Sequence, residues 1–178
     1  MGRTSKGRIL IIDDEAEIRE GLEALLDLEG YEVDLAANGA EGERKLESRV
    51  YDLVLLDLMM PDKSGMEVLR DLRERDRHTP VFMITAYGSV EAAVQAVKLG
   101  ATDYLPKPWD NEKLLIEIAR VIAGQRLADE NTQLKRALKQ RYSFPSIVGK
   151  SERMMKVLDL VTQVAASRST ILITGELA

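Results

Sequence analysis

Along the first 122 residues, short unbroken apolar runs alternate with stretches whose apolar residues recur every three or four positions. Runs of the first kind mark strands buried on both faces, and recurrences of the second kind mark helices with one apolar face. Arg8–Ile12 reads as a strand, Ile-Leu-Ile-Ile, ending at Asp13-Asp14. A helix follows with Ile18, Leu22, Leu25 and Leu26 on one face, stopped by Gly30, as a glycine just past a helix should. Tyr31–Ala36 predicts a strand, Gly39–Ser48 a helix, Asp52–Leu56 a strand closing on Asp57, and Ser64–Arg75 a helix with Met66, Leu69 and Leu72 inward. Val81–Ile84 is a strand led in by Pro80. Ser89–Leu99 is a helix with Val90, Ala93, Val94 and Val97 on one face, stopped by Gly100. Thr102–Leu105 is a short strand. A final helix starts near Asp110, a good N-cap, with Leu114, Ile118, Val121 and Ile122 aligned.

Strands that alternate with helices imply an α/β doubly wound parallel sheet. Five strands in about 120 residues match a flavodoxin-like domain with strand order 2-1-3-4-5. Such sheets bind ligands outside the carboxyl ends of their strands, where the strand order reverses, here between the first and third strands. The chemistry should therefore sit just after Ile12 and Leu56.

The last helix carries no stop signal where a globular helix would end. Residues 123–140 are polar and helix-friendly apart from Gly124, and Leu127, Asn131, Leu134 and Leu138 follow a 4-3-4 spacing. Those positions can be read as alternating d and a sites of a coiled coil with Asn131 setting register; a single solvated linker helix is the other reading. Pro145 then breaks the helix. Within residues 143–178, Ser151–Ala165 predicts a helix and Thr170–Thr174 a buried strand, which together cannot close a core. The expected division is a domain at 1–122, a helical linker at 123–142 and an incomplete second piece at 143–178.

Composition narrows the function classes. The 178 residues are 45% hydrophobic and 31% charged, a globular balance. Residues 1–122 hold 16 Lys+Arg against 25 Asp+Glu, whereas 123–178 hold 9 against 5. An acidic body argues against direct nucleic-acid binding, and the tail is too weakly basic to argue for it. No apolar run is long enough to span a membrane. Cysteine is absent, which fits a cytoplasmic setting and removes thiolate metal sites. The single histidine, His78, cannot build a zinc site alone.

Asp13-Asp14 ends the first strand and Asp57 the third, both where the ligand site is expected. Three converging carboxylates would repel one another and shift upward in pKa, a conflict that a divalent cation removes. Mg²⁺ takes one or two carboxylates, keeps waters and accepts phosphate oxygens. Thr85 ends the fourth strand and Lys107 follows the fifth. An aspartate near such a cation can attack a phosphoryl group, with a lysine and a hydroxyl on the remaining oxygens.

These residues carry a resemblance. Residues 7–122 resemble a response-regulator receiver domain of CheY-like fold. Asp13-Asp14 matches the family's metal-binding acids, and Asp57-Leu58-Met59-Met60-Pro61 with Gly65 matches D-x-x-M-P-x-x-x-G. Thr85-Ala86 matches the switch hydroxyl and its small neighbour, and Gly100 to Tyr104 with Lys107-Pro108 matches G-A-x-D-Y-x-x-K-P. The resemblance implies that Asp57 accepts a phosphoryl group from a sensor histidine kinase. It implies Mg²⁺ held by Asp14, Asp57 and the Met59 carbonyl, with Asp13 acting partly through water. Lys107 and Thr85 would contact the phosphoryl oxygens, Tyr104 would be the aromatic switch, and the Lys107–Pro108 bond would be cis. It also implies a homodimer through the face made by the fourth helix, fifth strand and fifth helix.

The tail resembles the opening of the AAA+ ATPase of NtrC-family, sigma-54-dependent activators. Ile147-Val148-Gly149-Lys150-Ser151 matches I-[IV]-G-x-S, and Ile171 to Glu176 matches the strand leading to the phosphate loop. Leu177 departs from the pattern, and the Gly-rich loop does not follow, so no nucleotide site is expected in these residues. The expected role is a signalling switch, not an enzyme, regulating its own ATPase domain. A phosphatase with an aspartate nucleophile is the rival class. Those enzymes carry nucleophile and second Asp two positions apart after the first strand, whereas Asp13 and Asp14 are adjacent. A receiver that serves only as a dimerisation module is opposed by the intact Asp57, Thr85 and Lys107.

Overall fold

The structure, a computed structural model, describes residues 5–86, 89–141 and, further on, Ser151, Arg153, Met154, Lys156, Val157 and Leu160; for 136–141 it describes backbone only. The chain runs β1 (Arg8–Ile12), α1 (Ala16–Glu29), β2 (Glu32–Ala36), α2 (Gly39–Ser48), β3 (Leu53–Asp57), α3 (Gly65–Arg75), β4 (Val81–Thr85), α4 (Val90–Leu99), β5 (Asp103–Pro106) and α5 (Asn111–Arg141). The five strands form one parallel sheet in the order 2-1-3-4-5, as the alternation predicts. The third and fourth strands run one residue further than expected, so Asp57 and Thr85 are the last ladder residues of their strands.

Successive side chains of a strand face opposite sides, and the sheet uses both. Leu10, Ile12, Val54, Leu56, Val81 and Met83 face one layer, packed with Val68, Leu69 and Leu72 of α3 and Ala96 of α4. Ile9, Ile11, Leu53, Leu55, Phe82 and Ile84 face the other, packed with Leu22 and Leu26 of α1 and Leu114, Ile118 and Ile122 of α5. Neither side of the central strands meets water, which explains their continuous apolar runs.

Helix ends follow local chemistry. Gly30 and Gly100 close α1 and α4 in the left-handed conformation, at φ of 89° and 104°, where a side chain would be strained. Ser64 and Glu67 form a capping box at α3, and the Ser89 hydroxyl accepts from the Ala92 amide at α4. On α4 the apolar face read from the sequence is not the buried one. Val90, Val94 and Val97 are exposed, and the helix packs through Ala96, Ala92 and Leu99. Small residues on its sheet side let α4 lie close, which leaves its bulkier valines outside.

Packing divides the chain into two compact units, Met1–Arg126 and Leu127–Ala178. The Arg126 guanidinium donates to the Lys6 carbonyl at 2.7 Å, within the first unit. Helix α5 continues without a break to Arg141, as the missing stop signal predicts. Leu127, Asn131 and Leu134 are exposed on it; the side chain of Leu138 lies outside the described residues. In the second unit the Met154 amide donates to the Ser151 hydroxyl at 3.2 Å, and Arg153, Met154, Lys156, Val157 and Leu160 are helical. The remainder of the predicted Ser151–Ala165 helix, the Pro145 break and the Thr170–Thr174 strand lie outside the described residues. No helix among the described residues is long and apolar enough to cross a membrane.

Candidate functional site

Parallel register brings four strand ends together. Ile12 stands beside Leu56, Asp57 beside Ile84, and Thr85 beside Pro106, so Asp13, Asp57, Thr85 and Lys107 emerge along one edge. Crossing backbone bonds tie the strand exits. The Leu58 amide donates to the Ile84 carbonyl at 2.8 Å, and the Lys107 amide to the Thr85 carbonyl at 2.7 Å. The Lys107–Pro108 peptide is cis.

Asp57 is 3% exposed. One carboxylate oxygen, Oδ2, accepts from the Met59 amide at 2.8 Å. The other, Oδ1, lies 3.0 Å from the Lys107 ammonium. The same ammonium lies 2.9 Å from Asp13 Oδ2 and 2.9 Å from Glu15 Oε1. Asp13 is buried too; its Oδ1 accepts from the Glu15 amide at 2.8 Å, and its carbonyl from Arg19 at 2.7 Å. The loop after Asp57 turns sharply into α3, with the Gly65 amide donating to the Leu58 carbonyl at 3.0 Å.

The electrostatics follow from burial and pairing. Burial pushes the Asp57 carboxyl above the ordinary aspartate value, Lys107 opposes that, and the Asp13 charge adds to it. Burial by itself would lower Lys107, but hydrogen-bonded ion pairs with Asp13, Glu15 and Asp57 more than reverse this and hold it above the usual lysine range. The ammonium is thus charged at any ordinary pH. It separates two buried carboxylates that would otherwise repel.

Of the residues expected at the site, the structure brings Asp13, Asp57 and Lys107 into direct ion-paired contact. Thr85 is fully buried at the end of β4, one strand from Asp57. Met59 contributes its amide, while its side chain is exposed. Asp14 is exposed at the β1 exit, outside the ion-paired cluster. Tyr104 is half-buried on β5 and packs against the layer that includes Ala92 and Leu99 of α4. Among the described residues no three His, Cys, Asp or Glu side chains are disposed to enclose a metal ion by themselves. Mg²⁺ does not require three carboxylates: one or two, with waters and phosphate oxygens, suffice. The hard oxygen donors of Asp13 and Asp57 fit that demand. The residue that sequence reading missed is Glu15. An acid at the start of a helix reads as a favourable end charge, and nothing local links it to a lysine 92 positions away.

The comparisons with known proteins agree with this geometry. The response regulator receiver domain model matches residues 9–119. The chain belongs to this family. The regulatory protein AtoC of Escherichia coli strain K12 is 35% identical over 173 residues, covering 97% of this chain and 38% of that protein. This chain therefore spans little more than a third of that relative's length, and the similarity continues beyond the receiver-model match at residue 119 over nearly all of the chain. A response regulator receiver domain protein from Clostridium thermocellum superposes with a TM-score of 0.65 at 36% identity, covering 68% of this chain and 98% of that one. The response regulator TrrA from Thermotoga maritima, solved in complex with Mg²⁺-BeF, has a TM-score of 0.59 at 37% identity, covering 64% of this chain and 97% of that one. As a receiver domain, the chain is a phosphoacceptor module of two-component signalling.

Proposed function

We propose that Asp57 accepts a phosphoryl group from the phosphohistidine of a sensor kinase, and that this controls dimerisation and an attached sigma-54-activating ATPase. The observation that carries the reading is the buried Asp57 carboxylate at the end of β3 with the Lys107 ammonium 3.0 Å from Oδ1. An Asp57 oxygen forms a bond to phosphorus as the bond to the donor imidazole nitrogen breaks, and that nitrogen leaves with the electron pair. Lys107 and the Thr85 hydroxyl would then donate to the phosphoryl oxygens, work that is mainly positioning and charge neutralisation. Mg²⁺, held by Asp14, Asp57 and the Met59 carbonyl with Asp13 acting partly through water, would neutralise charge between the carboxylates and the incoming phosphoryl group.

Phosphorylation adds about −1.5 to −2 charges at Asp57. Drawing Thr85 toward that charge would let Tyr104 move inward and bias the α4–β5–α5 face, a population shift between two arrangements. The exposed Val90, Val94 and Val97 of α4 support that face as a homodimer surface, and Leu127, Asn131 and Leu134 support the linker helix as its extension. Residues 1–122 would be the receiver, 123–142 the linker and 143–178 the opening of the AAA+ domain. The chain would act as a switch that loses its own phosphoryl group by hydrolysis and would not contact nucleic acid itself.

The deciding experiment is intact mass after incubation with Mg²⁺ and acetyl phosphate. A gain of one phosphoryl group, absent without Mg²⁺ and absent in Asp57→Asn, is expected. A folded wild type that gains nothing would demote Asp57 to a structural relic or a kinase-only acceptor, and the dimerisation-module reading would lead.

A further inference from the structure

A lysine ammonium has three N–H donors, and Lys107 has three carboxylate partners: Asp13 and Glu15 at 2.9 Å and Asp57 at 3.0 Å. Asp13 and Glu15 accept hydrogen bonds from it, and Asp57 stands at ion-pair distance. A phosphoryl oxygen arriving on Asp57 competes with these partners for the ammonium. The three partners differ in what release costs. The side chains of Asp13 and Asp57 are 1% and 4% exposed, and a buried carboxylate that loses its cation is strongly disfavoured. Glu15 is 58% exposed, so water can replace the lysine at little cost.

Glu15 also stands in an unusual place for what it does. It is the N-cap residue of α1, yet its side chain makes no capping hydrogen bond. The side chain is committed to Lys107 instead, while the Glu15 amide holds Asp13 Oδ1. One residue thereby steadies both neighbours of Asp57, by its backbone on one side and its carboxylate on the other.

We propose that Glu15 is a displaceable tether: it holds one Lys107 donor in the unphosphorylated protein and yields it to a phosphoryl oxygen on Asp57. It is a positioning residue, acting through Lys107. The inference rests on the phosphoacceptor reading of Asp57. Competition from Glu15 slows phosphoryl uptake, and the released carboxylate, recapturing Lys107, speeds its loss. The size follows from an ion pair whose glutamate is largely exposed, about a two- to fivefold effect on each rate.

The test uses the full chain as wild type, Glu15→Ala, Glu15→Gln and Asp57→Asn, with acetyl phosphate and Mg²⁺, followed by intact mass over time. Glu15→Ala should take up the phosphoryl group about two- to fivefold faster, through the maximal rate and not the donor KM, and lose it more slowly. Glu15→Gln, which keeps an acceptor without the charge, should fall between. The gap should narrow at about 1 M salt, where the exposed glutamate side of the pair is screened, an outcome that a merely structural role of Glu15 would not produce. Independently of phosphorylation, the Lys107 ammonium protons should exchange with solvent faster in Glu15→Ala, read by ¹⁵N-resolved NMR of the lysine side chains. Equal or slower uptake in Glu15→Ala at low salt, or an ammonium whose exchange is unchanged, overturns the tether. A wild type that takes up nothing overturns the phosphoacceptor reading and the exchange of partners with it, while the ammonium signal still judges the Glu15–Lys107 pair by itself.

Discussion

Gly65 lies directly against the main chain of Asp57. A Cβ built at position 65 would overlap the Asp57 carbonyl oxygen and stand 3.0 Å from both the Asp57 carbonyl carbon and the Leu58 Cα. All three atoms are backbone, so no rotamer change relieves the clash. Only a bare Cα lets the chain return so tightly into α3 beneath the candidate phosphoacceptor. Gly65→Ala is expected to lose about 3 kcal/mol of stability, read from the midpoint of urea unfolding. It should also slow phosphoryl uptake, because the strain falls on the residue that carries Asp57.

The raised pKa of Asp57 makes stability depend on pH. A carboxyl whose folded pKa exceeds its unfolded value binds its proton more tightly in the folded state. Its contribution is fully present below the unfolded value and is lost as pH rises through the folded one. Ionised Asp57 therefore weakens the fold at neutral pH. Asp57→Asn should melt at a higher temperature than wild type near pH 7, and the difference should shrink toward about pH 4, checked by calorimetry across that range. An Asn variant that melts lower at neutral pH would show that the Lys107 pair outweighs burial.

Lys63 ties the loop after Asp57 to two helices. Its ammonium lies 2.6 Å from Glu43 on α2 and 2.5 Å from Asp71 on α3. All three side chains are partly exposed, so the network is worth little in water. Lys63→Met is expected to cost about 0.5–1 kcal/mol at low salt and nearly nothing at about 1 M salt, by urea unfolding. A cost that ignores salt would assign the effect to packing of the lysine stem.

The exposed leucines of α5 beyond Arg126 can be tested without harming the sheet. Leu127 and Leu134 are 66% and 58% exposed, so charged replacements should change the stability of one chain by less than about 0.5 kcal/mol. Leu127→Glu with Leu134→Lys should shift the protein toward monomer in sedimentation velocity while its melting temperature at low concentration holds. An unchanged dimer would remove these positions from the interface.

Much of this protein is legible along the chain. The central strands are apolar without alternation because both faces of the sheet are covered, and that alone points to a parallel doubly wound sheet. Asp57, Thr85 and Lys107 could be expected along one edge of the sheet because each ends or directly follows a strand. Gly30 and Gly100 could be assigned as helix stops because their left-handed backbone is a local property. Likewise, α5 could be expected to run on because nothing in 123–140 breaks a helix.

Other features depend on distance through space. The stripe of Val90, Val94 and Val97 looks like a core face in one dimension. It is exposed because Ala96 and Ala92 let α4 settle closer on its other side, a choice made by packing against β5 and α3. Asp14 reads as the equal of Asp13, but one residue's step out of the strand takes it into solvent. Glu15 reads as an ordinary acid at a helix start. Its bond to Lys107, and the sharing of one ammonium among Asp13, Glu15 and Asp57, exist only because β1, β3 and β5 end at the same edge of the sheet. The sequence by itself determined which residues end the strands, since that follows from local hydrophobicity and turn chemistry. Only the tertiary structure decided which charges neutralise one another, because ion pairing depends on ångström separations between residues as many as 94 positions apart.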